Sequence, residues 1–339
     1  MIMKKIFLHY RRTTWVLATI GLLFVLAVSA DLAPVSDLPQ SSAELGERLF
    51  MDPILSKDFT VSCSSCHQPE FAFADTMTFS MGINGVPTGR NTPTATYMNN
   101  HHVFFWDGRA QSLEEQASGP ITHPHEMGLP LPEAIDRLTK HTDYRNAFLR
   151  IYHRPPDSML LVKAIADFER TLAPYDSPYD RFLAGEDEAL SESAKRGMLL
   201  FFKEQTCNND PCHSGPDMGA DSLVSLGIFS PTDRGLFELT KDSADIGKFK
   251  SVHLRNIAIT APYMHDGSKK TLHEVVRFYN TPANFTHENV HYDARTVTFQ
   301  MTDQQVDDLV AFMESLTDQR YLHLLERPSQ REGPEPSAD

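Results

Sequence analysis

"CSSCH", residues 63–67, decides how the rest of the chain is read. C-x-x-C-H is the attachment signature of a c-type haem. Two thiols are spaced to form thioethers with the two vinyl groups, and the imidazole follows beneath the iron. A thioredoxin-like redox pair would need a βαβ context, which the flanking sequence lacks. Half of a zinc site would need a second C-x-x-C, and there is none. The nearest counterpart is "CNNDPCH", residues 207–213, with four residues between its cysteines. Asn-Asn-Asp-Pro is turn-forming sequence and can bulge outward without moving its ends. All four cysteines lie in these two strings, and each string ends in histidine. Two local disulfides, available to an exported protein, would not need those histidines. A zinc knuckle would need a fourth ligand that no spacing supplies.

An internal repeat ties the strings together. "SAELGERLF" (42–50) and "SAKRGMLLF" (193–201) share S-A-x-x-G-x-x-L-F at an offset of 193 − 42 = 151 residues. A cysteine string follows each copy. The chain reads as two copies of one haem-binding unit, with a boundary near residues 175–192. Cys63, Cys66 and His67 serve the first haem; Cys207, Cys212 and His213 serve the second.

The secondary structure is mainly α. Thr302 opens "TDQQVDDLVAFMESL" with Gln305 completing a capping box, and Val306, Leu309, Val310 and Met313 make one apolar stripe. "TLHEVVRFY" (271–279) starts with Thr271 and Glu274 in the same relation. "SMLLVKAIADFERTL" (158–172) has Ser158 as its expected N-cap. No run of alternating strands appears. The long loops at 68–104 and 214–250 are the kind that wrap a functional group, and a haem supplies the missing core.

The N-terminus "MIMKKIFLHYRR" carries four basic residues and leads into sixteen mostly apolar ones, "WVLATIGLLFVLAVSA". Residues 1–30 read as a secretory signal peptide, cleaved after the small residues Val28 and Ala30. An uncleaved anchor is the alternative, since sixteen residues is just short of a span of about 20. Export implies a periplasmic protein. The formal charge is −14, and loss of the leader makes it 27 − 45 = −18. Such acidity argues against nucleic acid and favours a basic protein partner or simply solubility. The tail 326–339, "ERPSQREGPEPSAD", has a disordered composition.

Several stretches carry a resemblance. They are "FFWDGRAQSLEEQASGPITHPHEMG" (104–128), "RNTPT" (90–94), "FKSVHLRNIAITAPYMHDGS" (249–268) and "DLVAFMESLTD" near the end. Over residues 40–320 the chain resembles the bacterial di-haem cytochrome c peroxidase and MauG family. The resemblance implies two class I cytochrome c-like domains, residues 31–185 with the peroxidatic haem and 186–325 with the electron-transfer haem. It implies Glu126 as acid–base catalyst, Gln116 as the group that orients peroxide, and Trp106 as an electron carrier between the haems. It implies one Ca²⁺ held by Asn91, Thr260 and Pro262. Hydrogen peroxide would be the substrate and a small cytochrome c or cupredoxin the donor; a homodimer is compatible with the reading.

Two departures from the family pattern bear on function. Residues 68–100 contain no histidine to cap the first iron, although Met77 or Met81 would be available. The place of the second haem's distal methionine holds Tyr279, as in MauG, with Met264 as the rival ligand. A peroxidase reducing peroxide to water is the leading reading. A MauG-like enzyme that oxidises residues of a partner protein is the alternative. A pure electron carrier would need neither Glu126 nor Gln116.

Overall fold

The computed structural model describes residues 38–203, 212–228, 230–281 and 300–326. All but Leu38 and Pro39 belong to one compact unit that starts at Gln40. The expected signal peptide, Cys207 and the tail beyond Glu326 lie outside the described residues.

Two helix pairs organise this unit. Helix α1 (Ser42–Met51) is capped by Ser41, whose Oγ accepts the Glu44 N–H at 3.2 Å, and it buries Leu45, Gly46, Leu49 and Phe50. A one-turn helix α2 (Cys63–Cys66) follows. Helices α3 (Leu113–Thr122), α4 (Leu131–Lys140), α5 (Thr142–Tyr152) and α6 (Ser158–Glu169) complete the first half. In the second half come α7 (Pro178–Leu183), α8 (Glu192–Phe202), α9 (Phe237–Thr240), α10 (Leu272–Tyr279) and α11 (Asp303–Glu314). Helix α1 crosses α6, and α8 crosses α11.

The glycine of the sequence repeat marks each crossing. A Cβ on Gly46 would sit 1.9 Å from the Ala164 carbonyl oxygen, and one on Gly197 1.8 Å from that of Asp308. Backbone meets backbone at both points, so no side chain can be accommodated without separating the helices. The two halves keep separate apolar clusters. One runs from Leu45 to Leu172 and includes Phe50, Phe148 and Ile165. The other runs from Tyr179 to Leu316 and includes Phe201, Leu309 and Phe312.

A second duplication precedes α3 and α10. Phe104 pairs with Ala110, and Tyr263 with Lys269, across two equivalent tight turns. Gly108 and Gly267 take φ of 73° and 65° in them, where a side chain would be strained. Ser112 and Thr271 then cap the helices, accepting the N–H of Glu115 and Glu274 at 3.1 Å each. Those glutamates reach back to the N–H of Gln111 (2.8 Å) and Lys270 (2.6 Å).

The capping boxes at Thr271 and Thr302 form as the sequence predicts, and the α11 stripe is buried. Ser158 is a correction: it is the first helical residue, and Asp157 is the N-cap, its Oδ1 accepting the Leu160 N–H at 2.8 Å. The long loops hold 3₁₀ turns and one antiparallel pair, β1 (Leu223–Ser225) and β2 (Lys248–Lys250), in register Leu223↔Lys250.

Candidate active site

Helix α2 puts the two thiols of "CSSCH" one turn apart. Ser65 Oγ accepts the Ser62 N–H at 3.0 Å and fixes its start. Cys63 and Cys66 stand three apart and so share a face. His67 ends the turn, and its Nδ1 lies 3.1 Å from the Phe73 carbonyl oxygen. In the second half His213 Nδ1 lies 3.1 Å from the Met218 carbonyl oxygen. Each carbonyl belongs to a residue held at positive φ, 54° at Phe73 and 55° at Met218. Such backbone costs of order 1–3 kcal/mol, and here it aims an acceptor at a histidine. An Nδ1–H donated to a carbonyl leaves Nε2 for a metal. Burial lowers the pKa of both rings, which keeps them neutral.

One cavity of about 840 Å³ is lined by Cys63, Cys66, His67, Cys212 and His213. Its size lies toward the upper end of a small-molecule pocket, about 300–1,000 Å³. Paired thiols, a neutral imidazole with a fixed second nitrogen and apolar walls fit a covalently attached haem. None of the described residues forms a cluster of three His, Cys, Asp or Glu able to hold a metal ion on its own.

The remaining candidates are brought to the same cavity. Gln116 from α3 and Glu126 from the turn after it both line it. Glu126 is fixed by its backbone: its N–H donates to the His123 carbonyl at 3.0 Å, and its carbonyl accepts the Ile83 N–H at 2.9 Å. Burial raises the Glu126 pKa, opposed by His123 and Arg109. Trp106 donates its indole N–H to the Asn91 carbonyl at 2.8 Å and meets the His265 ring edge-on. Asn91, Thr260 and Pro262 line the cavity, as do Tyr279 and its rival Met264. Leu272, Val275, Val276 and Tyr279 all turn toward it, the face the helical period predicts. Met77 and Met81 are exposed and are not among the lining residues.

Some lining residues are not evident from motif reading. Glu169 is buried at the end of α6, and burial pushes its carboxyl up to about 8. Its signal is an acid on an apolar stripe, four residues after Ile165 and eight after Leu161. Arg90 forms a two-pronged pair with Asp233 (2.8 and 2.7 Å) and a third bond to Asp107 at 2.7 Å. It thereby joins two segments 143 residues apart, a pairing with no local signal.

The first part of the chain, residues 40–188, matches the family model described as di-haem cytochrome c peroxidase. The methylamine utilization protein MauG of Methylophilus methylotrophus is 35% identical over 287 residues, 84% of this chain and 85% of that protein. The chain belongs to the di-haem cytochrome c peroxidase family. The cytochrome c551 peroxidase of Nitrosomonas europaea is 33% identical, covering 86% of each chain. A MauG-like protein associated with microbial copper homeostasis has a similar fold, with a TM-score of 0.73 at 31% identity, over 86% of this chain and 97% of that one. Family membership makes this protein a peroxidase and implies two c-type haems. Among its described residues no helix is long and apolar enough to cross a membrane.

Proposed function

We propose that this protein is a periplasmic di-haem peroxidase that reduces hydrogen peroxide to water with electrons from a small cytochrome c or cupredoxin. The domains are residues 31–185 and 186–325, each a cytochrome c-like unit around one haem. The first haem is held by Cys63, Cys66 and His67, and the second by Cys207, Cys212 and His213. The observation that carries the reading is the pairing of Gln116 and Glu126 on the wall of the cavity that His67 also lines.

The haem iron, when bound, supplies the centre at which peroxide binds and receives electrons. Glu126 takes a proton from one peroxide oxygen and returns it to the other. Its burial-raised pKa suits it to both directions, because an acid–base group works best near the operating pH. Gln116 holds peroxide by its amide. Trp106 carries electrons from the second half, its ring fixed by the Asn91 bond. Asn91, Thr260 and Pro262 would hold Ca²⁺ through oxygen ligands. Tyr279, ahead of Met264, would help hold the second haem, and its phenolate would stabilise the oxidised iron.

A second reading keeps the site and changes the outcome: a MauG-like oxidation of residues on a partner protein. Tyr279 on the cavity wall favours it, as does the absence of histidine in residues 68–100 with Met77 and Met81 turned outward. Steady-state peroxide turnover with reduced cytochrome c decides between them. Fast turnover without prior reduction is expected here. Negligible turnover, with a long-lived oxidised state after peroxide, would establish the MauG-like reading instead.

A further inference from the structure

Reduction of peroxide to two waters consumes two electrons and two protons. The proton Glu126 takes from one peroxide oxygen it gives back to the other, so the two consumed protons must come from solvent. The turn that holds Glu126 supplies a route. The His123 carbonyl accepts the N–H of both Glu126 and Gly128 at 3.0 Å, so the chain doubles back on itself. That fold sets His123 Nδ1 3.4 Å from Glu126 Oε1. The His123 side chain is 48% exposed and that of Glu126 26%, and both residues line the cavity. One ring thus spans from the partly buried carboxyl to water.

A neighbouring backbone N–H sets the ring's resting tautomer. The His125 backbone N–H points at His123 Nδ1 from 3.3 Å. In the neutral ring Nδ1 is then an acceptor and Nε2 carries the hydrogen. The His125 ring packs edge-on against it, 5.6 Å away at 89°. The other charged group acting on Glu126 is Arg109. Its guanidinium is held on Asp107 at 2.9 and 2.8 Å and lies 3.5 Å over the Phe105 ring. An arginine cannot give up its proton. The neighbouring thiols of Cys63 and Cys66 are consumed by haem attachment.

We propose that His123 is the proton relay between solvent and Glu126, exchanging with the carboxyl at Nδ1 and with water at Nε2. In the resting tautomer Nε2 already carries the hydrogen, so delivery begins when the ring reorients or exchanges to carry it on Nδ1. That proton then passes to the Glu126 carboxylate while water protonates Nε2, which restores the resting tautomer. Burial raises the Glu126 carboxyl above the ordinary carboxylate range, which favours its holding a delivered proton. The proposal rests on the acid–base role given to Glu126 above.

Cyanide association with the oxidised holoprotein tests it without turnover, because hydrogen cyanide must surrender its proton to a distal base as it binds. In dilute buffer His123→Ala should slow association about tenfold, less than the 10²–10⁴ expected for loss of the acid–base group itself. Raising phosphate, a small proton carrier, should restore the rate. His123→Gln keeps a hydrogen-bonding side chain that cannot shuttle a proton, and should stay slow. An unchanged rate in His123→Ala, no phosphate rescue, or a normal rate in His123→Gln would each overturn the relay. Glu126→Gln separates the two claims. If it leaves association unchanged, the acid–base reading itself fails. If it slows association while His123→Ala does not, only the relay fails.

Discussion

Helices α3 and α10 start from the same scaffold and present opposite chemistry. Residues 107–115 and 266–274 share D-G-x-x-x-[S/T]-L-x-E, and each runs through a glycine turn into a capped helix. Three residues past the shared leucine, α3 carries Gln116 and α10 carries Val275. Seven past it stand Pro120 and Tyr279. All four line the cavity. The backbone therefore delivers the same two positions to each half. The first half fills one with an amide and follows with Glu126; the second fills them with an apolar group and a phenol. The two halves share the frame and differ in the side chains it presents; under the proposed function that difference divides peroxide chemistry from electron supply.

The sharpest way to break this division is Glu126→Gln. The rate of peroxide consumption should fall by about 10²–10⁴, while haem content stays normal. In the parent protein the rate should fall with acidity through the Glu126 pKa, which lies above the ordinary carboxylate value, because the group must start ionised to accept a proton. A rate independent of pH from 4 to 8, the span from ordinary carboxylate to imidazole titration, would remove Glu126 from the reaction.

The common frame can be attacked in both halves at once. Gly46→Ala and Gly197→Ala each push a methyl group into a backbone carbonyl, so each should cost about 1–3 kcal/mol, as overpacking does. Denaturant titration of the two variants checks it. A cost in one half alone would show that only one crossing is tight.

Glu169 gives the first half a pH dependence. Its folded pKa is about 8, raised from an ordinary value of about 4.3. Between those values the folded state holds a proton that the unfolded state has lost. Stability from this group is therefore fullest in acid and declines as pH rises toward 8, by up to about 1.4 kcal/mol per pH unit. Melting of the parent and of Glu169→Gln across that range should show the slope only in the parent. The smallest expected effect is spectroscopic. Tyr279→Phe should alter the absorption of the second haem and leave the first unchanged; an unaltered second haem would pass the ligand role to Met264.

Much of this was legible in the sequence because it is local. The proposed haem attachment rests on five adjacent residues, and the capping boxes on residues three apart. The S-A-x-x-G-x-x-L-F repeat disclosed the duplication, yet the reason for its glycine appears only where Ala164 and Asp308 arrive from distant helices. The second duplication is carried by the shared D-G-x-x-x-[S/T]-L-x-E, a short pattern embedded in longer motifs. Asp157 displaced Ser158 as a cap because both residue types cap well and sequence alone does not fix the register. The bridge from Arg90 to Asp233 and the place of Glu169 on the cavity wall depend on tertiary contacts, which no local pattern encodes.

The division of labour is tested most directly by rapid mixing of the oxidised protein with hydrogen peroxide, following the two haem spectra separately. The haem on His67 should change first, at a rate proportional to peroxide, with the haem on His213 following. A first change at the haem on His213 would contradict the account.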